Sequence, residues 1–239
     1  MQDRVNWLQE LAIDLVAVLS FTPEVSQLSA REFVSLLKKH LKMRGIMMGP
    51  DFTLGRNREG DANLLRSLGQ EMDFSVETIP PLVADGEIVS STLIRQALAQ
   101  GDMRKVHKLM GRHFYLRGKV ITSAKRGRTL GFPTANIDIK PQQALPGNGV
   151  YATMAQVDGK QFVAATNVGT HPTFGGSEKR VETHLLNFEG DLYGKEIRVE
   201  FVQKLRDEQR FASPEELKAQ MRKDVQETET ILAEGVVID

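Results

Sequence analysis

Cysteine is missing from this chain, which excludes disulfides, thiolate metal sites, iron–sulfur clusters and a thiol nucleophile. A surplus of one charge is missing too: 31 Lys and Arg balance 31 Asp and Glu, so the chain is neither histone-like nor a solvating acidic one. No apolar run approaches the roughly 18–20 residues of a membrane span. The opening Met1-Gln2-Asp3-Arg4 has no charged n-region followed by an apolar stretch, so no signal peptide is expected. Walker A, H-E-x-x-H and EF-hand patterns are all absent. What remains is a chain of 239 residues, expected to be cytoplasmic and without a membrane partner, and long enough for one or two domains with cores of their own.

The neutral total hides an asymmetry. Residues 1–100 carry 10 basic and 13 acidic side chains, and residues 101–239 carry 21 and 18. Nine Lys and Arg fall between Asp102 and Asp138 with no acid among them. Such a run is either a solvated face or a surface for anionic ligands.

The first hundred residues alternate helix and strand signals. Ser29-Ala30-Arg31-Glu32 is a capping box, with Phe33, Leu36, Leu37 and Leu41 on one helical face behind it. Leu15–Leu19 reads as a short buried strand and Ile46-Met47-Met48 as another. Residues 61–70 read as helix, Phe74–Ile79 as strand, and Ser91–Ala99 as a serine-capped helix. This alternation predicts a parallel α/β sheet. After about residue 112 the pattern changes to short β-rich runs at Val120, Val150–Val157, Phe162–Val168, Val181–Leu186 and Ile197–Val202, which predict an antiparallel barrel or sandwich. A closing helix starts at Ser213-Pro214-Glu215-Glu216, with Leu217, Met221, Val225, Thr228 and Leu232 as its core stripe.

Gly147-Asn148-Gly149-Val150-Tyr151-Ala152 fits G-x-G-x-x-A on paper. It follows a proline and leads into a strand, so it reads as a turn and not as a dinucleotide site. His171 and His184 lack a third metal ligand at useful spacing and read as structural. The densest chemistry lies between Gly118 and Asn136. Glycines 118, 127 and 131 would let backbone N–H groups approach an anion, beside Lys125, Arg126 and Arg128. Thr134 and Asn136 are two apart, so on an extended segment both oxygens face one way, an arrangement suited to magnesium that shares phosphates and water. A glycine-rich β-turn with a basic edge fits the same residues.

Gly127-Arg128-Thr129-Leu130-Gly131-Phe132-Pro133-Thr134-Ala135-Asn136 resembles the signature of the riboflavin kinase (flavokinase) family. Asn167-Val168-Gly169-Thr170-His171-Pro172-Thr173-Phe174-Gly175, Val181-Glu182-Thr183-His184 and Asp191-Leu192-Tyr193-Gly194-Lys195 follow in that family's order. The resemblance continues through Leu205-Arg206-Asp207-Glu208 and Phe211, and covers residues 112–235. It implies a six-stranded antiparallel Greek-key barrel with a C-terminal helix, which transfers the γ-phosphate of ATP to the ribityl 5′-hydroxyl of riboflavin. It also implies Mg2+ and phosphate ligands at Thr134 and Asn136, and a phosphate cover and ATP contacts at Gly118, Lys125, Gly127, Arg128 and Gly131. Arg206 is implied near the flavin, and Glu182 as the base that accepts the hydroxyl proton. Taken alone, Glu182 is an ordinary strand carboxylate. Asn187 stands where relatives carry aspartate, a departure at a local turn.

Residues 1–105 resemble the FMN adenylyltransferase module of bacterial bifunctional flavin enzymes. Gly49-Pro50-Asp51-Phe52 matches its Gly-x-Asp-Phe loop, although Leu54 replaces an aromatic, and Ser90-Ser91-Thr92-Leu93-Ile94-Arg95 matches its S-S-T-x-I-R motif. Gly49, Asp51, Phe52, Ser91, Thr92 and Arg95 are thus a remnant nucleotidyltransferase site. The module's His-x-Gly-His signature occurs nowhere in the chain. The expected fold is therefore α/β plus mainly β: an incomplete Rossmann-like module over 1–105 and a barrel over 106–239. The expected activity is riboflavin kinase, with FAD synthesis weak or absent, and the partners are small molecules. One alternative is a fully bifunctional enzyme with its signature encoded upstream of Met1. The other is a non-catalytic module for flavin or nucleic acid, although only Phe114 and Tyr115 interrupt the basic stretch as aromatics.

Overall fold

The computed structural model describes residues 2–121, 131–140, 143–173 and 176–233. The chain forms two compact units, Met1–Leu82 and Val83–Asp239.

In the first unit, helices α1 (Gln2–Glu10), α2 (Pro23–Ser26), α3 (Ala30–Leu41) and α4 (Ala62–Met72) accompany strands β1 (Gly45–Met48) and β2 (Ser75–Thr78). The capping box starts α3 as expected: Ser29 Oγ accepts from Glu32 N, and the Glu32 carboxylate accepts from Ser29 N at 2.8 Å. The two strands pair in parallel, Ile46 against Val76, the sheet type that the alternation predicts. Ala30, Val34, Met48, Leu65, Leu68 and Phe74 form the core.

One expectation fails here. Residues 15–19 take no regular structure, and Leu15 and Leu19 are 73% and 61% exposed. An apolar run becomes a strand only where an edge is available to pair with it, and among the described residues none pairs with this one. Helix α1 carries too little apolar patterning to be read from sequence.

The second unit opens with a small hairpin, β3 (Val83–Ala84) and β4 (Glu87–Ile88), then α5 (Ser91–Gln100) and α6 (Met103–Met110). Six strands follow: β5 (Phe114–Ile121), β6 (Ala135–Ile137), β7 (Gly149–Val157), β8 (Lys160–Thr173), β9 (Gly176–Leu185) and β10 (Glu196–Arg206). They close into an antiparallel barrel in the order β10-β5-β6-β9-β8-β7, and β7 pairs back to β10. The Gly147–Gly149 segment is the turn into β7, and Gly147 N donates to Leu98 O. Inside the barrel, Leu116, Val168, Val181, Ile197, Val199 and Phe201 pack without exposure or nearly so. The buried hydroxyls of Thr153, Thr166 and Thr183 bond in series at 2.8 and 3.1 Å, which satisfies polar groups that would otherwise be costly to bury.

Ala97, Leu98, Met103 and Val106 join this same core. Compactness therefore divides the chain at Leu82/Val83, upstream of the 105/106 division drawn from motifs. Motifs follow modules, whereas compactness follows packing, and α5 and α6 pack with the barrel.

The final helix, α7 (Pro214–Ala233), begins at Ser213, whose Oγ accepts from Glu216 N. Its inner stripe differs from expectation. Of the expected stripe Thr228 is buried, but Leu217, Met221, Val225 and Leu232 are only half-buried, and Asp224, outside the stripe, is buried instead. The cause is an ion pair: Arg206 at the end of β10 donates to both oxygens of Asp224, at 2.9 and 2.8 Å.

Candidate functional site

Strand β6 is only three residues long, and it aligns the site. Asn136 stands opposite Glu182 of β9, and Glu182 stands opposite Asn167 of β8. Residues directly opposite in a ladder share a face, so a carboxylate lies between two carboxamides. Along β9 the core takes Val181, Thr183 and Leu185. Glu182 and His184 consequently share the other, half-buried face. Asn136 is 5% exposed and Thr134, two residues earlier, is half-buried.

The approach to β6 is tied down by His184. Its Nδ1 lies 2.8 Å from the carbonyl oxygen of Pro133, and its ring meets Phe132 edge-on with centroids 5.4 Å apart. Gly131 adopts φ +84° in the turn before it, a conformation that favours glycine. Among the described residues no group of three or more His, Asp or Glu could hold a metal. Thr134 and Asn136 offer neutral oxygens instead, which fit a hard cation that takes its other ligands from phosphates and water.

Gly118 lies within β5, where a Cβ would run into the carbonyl of Asp138. Close strand approach thus accounts for this glycine by itself. Lys125, Gly127 and Arg128 lie outside the described residues, as do Phe174 and Gly175 of the quoted motifs. Arg206 has a structural task independent of any flavin. Besides Asp224, it donates to Asp207 O at 3.0 Å, and Gln220 Nε2 also bonds Asp224 at 2.9 Å. Asn187 follows β9 with φ +54°, which asparagine adopts more readily than most residues, so the departure from aspartate keeps the turn.

The remnant site residues fall in both units. In the first, Gly49, Asp51 and Phe52 follow β1. Their loop is fixed farther on, where Glu59 accepts from Ala30 N at 2.7 Å and Leu54 pairs with Gly60. Leu54 packs against the first core. In the second unit, Ser90 caps α5 by accepting from Leu93 N, and Ser91, Thr92 and Arg95 are exposed on its first turns.

Two features escaped sequence reading. Asn167 was visible only as a member of a motif, and His184 as a member of another and as a histidine lacking metal partners. Neither signal reveals that β9 places one beside Glu182 and the other against Pro133.

Residues 110–232 match the flavokinase family, described as riboflavin kinase, and residues 1–93 match the FAD synthetase family. A protein of Escherichia coli K12 named bifunctional riboflavin kinase/FMN adenylyltransferase is 38% identical over 94% of this chain and 72% of its own length. Proteins of the same name from Pseudomonas fluorescens (41%, covering 89% and 69%) and Haemophilus influenzae (35%, covering 95% and 74%) are similar. Among solved structures, a Streptococcus pneumoniae protein described as a macrolide-efflux protein superposes with a TM-score of 0.87. It is 30% identical over 95% of this chain and 74% of that one.

Proposed function

The chain belongs to the riboflavin kinase/FMN adenylyltransferase family, and from that premise we propose that its barrel phosphorylates riboflavin at the ribityl 5′-hydroxyl. The observation that carries the reading is the row Asn136–Glu182–Asn167 beside Thr134. It gathers on one face a carboxylate able to take a proton and oxygens able to bind a hard cation.

Glu182 accepts the proton of the 5′-hydroxyl as that oxygen bonds to the γ-phosphorus of ATP. The bond to the β–γ bridging oxygen breaks, and ADP leaves with its electron pair. Magnesium brought with the nucleotide would be held by Thr134 and Asn136 and would neutralise charge on the transferring group. Lys125, Gly127, Gly131 and Arg128 are assigned to covering the phosphates, on the strength of the motif. Among the described residues no helix is long and apolar enough to cross a membrane. A cytoplasmic setting suits a chain without cysteine that draws on ATP.

The relatives' second activity, FMN adenylylation, needs a group to stabilise the α-phosphorus in transit. The 239 residues contain no His-x-Gly-His to do so. We expect the kinase reaction alone from these residues. Incubating the purified chain with ATP, Mg2+ and riboflavin, then separating the flavins, tests both parts. FMN with little FAD is the expected result; absence of FMN overturns the kinase assignment, and abundant FAD overturns the restriction to one activity.

A further inference from the structure

We infer that His184 is a positioning residue for the phosphate-binding segment, acting through the backbone of Pro133 and resting on the kinase reading above. The β6–β9 ladder runs Ile137↔Val181, Asn136↔Glu182, Ala135↔Thr183 and stops. One more step in the same register would set Thr134 opposite His184. Proline at 133 has no N–H to extend a ladder, but its carbonyl still accepts. The imidazole uses that carbonyl to tie the segment to β9 beyond the end of the ladder, Nδ1 to Pro133 O at 2.8 Å.

A carbonyl only accepts, so Nδ1 carries the hydrogen, and the neutral ring is the Nδ1–H tautomer. The edge-on contact with Phe132 adds a second hold on the ring. Thr134 is thus fixed at both ends: its preceding carbonyl by His184, its following residue by the ladder. Without the imidazole the ladder still holds Asn136, but Thr134 is left at the end of a segment with one anchor fewer. The side chain that aims the cation-binding oxygen therefore sits on β9, two residues beyond the carboxylate assigned to take the proton.

The test uses the full chain with ADP and Mn2+ as the probe, titrated by calorimetry, and riboflavin binding followed separately by flavin fluorescence. His184→Ala weakens MnADP binding about tenfold, the scale of one lost hydrogen bond, and leaves riboflavin affinity unchanged. His184→Phe, which keeps an aromatic ring beside Phe132 but has no donor, weakens it similarly. His184→Asn places an amide N–H where Nδ1–H stood and restores MnADP binding to within about threefold of wild type. If the alanine variant fails to fold, the phenylalanine and asparagine variants decide alone. Wild-type MnADP affinity in the Ala or Phe variant, or an Asn variant as weak as Phe, overturns the inference. A wild-type chain that binds neither MnADP nor riboflavin overturns the kinase reading and this inference together, a pattern distinct from the other two.

Discussion

Glu182 is paired across the ladder with Asn136 on one side and with Asn167 on the other. Its two cross-strand neighbours are therefore amides, which can orient a carboxylate without neutralising it by charge. Replacing the carboxylate with an amide of equal size should preserve that row and remove only the proton acceptor. We predict that Glu182→Gln lowers riboflavin kinase kcat by about 10²–10⁴-fold, while ADP and riboflavin binding stay within about threefold of wild type, a change under about 1 kcal/mol. Steady-state kinetics beside calorimetry checks it, and unchanged turnover removes Glu182 from its role.

Gly118 separates a packing requirement from a binding one. A Cβ there meets the Ile137 side chain and the Asp138 carbonyl, on the last residue of β6 and the one that follows it. Gly118→Ala is expected to destabilise the barrel by about 1–3 kcal/mol, in the range of overpacked sites. Thermal unfolding would show it as a lowered midpoint even without ligands.

The Arg206–Asp224 pair links the end of β10 to α7 with little solvent access: the two side chains are 17% and 6% exposed. Removing one partner leaves a buried charge uncompensated, so Asp224→Ala or Arg206→Ala should each cost about 3–5 kcal/mol. The double variant Arg206→Ala with Asp224→Ala should lose less than the sum of the single losses. Denaturant titration of the four proteins gives the coupling directly, and strict additivity would show that the two side chains do not act as a pair.

Tyr151 is fully buried and donates to Gly147 O at 2.5 Å. Burial, with the negative charge of Asp207 adding to it, pushes its pKa up to about 12. The folded protein therefore keeps the phenol proton that the unfolded chain releases near pH 10. The stabilisation this provides is complete below pH 10 and is lost as the pH rises toward 12. Unfolding free energy of the wild type should fall more steeply over that interval than that of Tyr151→Phe. Parallel curves for the two would refute the assignment.

Much of the architecture was legible because it follows from local rules. The capping box at Ser29, the parallel pair at Ile46 and Val76, and the β-rich runs of the barrel all lie where residue pattern places them. The site was legible as a set of residues through its motifs, but not as an arrangement. Which residue stands beside Glu182 depends on the register of two strands distant in sequence, and three-residue β6 is too short to show a period. Polar choices inside α7 depend on Arg206 eight residues before the helix, so an apolar stripe alone misplaces its centre. The Leu15–Leu19 run shows the converse: apolar composition without a partner edge is not a strand.

The barrel contains one short stave. Strand β6 contributes three residues, while the strands on either side of it contribute eight and ten. Opening of the ring by thermal breathing should therefore begin where fewest bonds must part, which is also where Asn136 meets Glu182. A ligand bound across that seam adds to the bonds that must part, so nucleotide and flavin should slow amide hydrogen exchange at β6 and along the facing edges of β5 and β9.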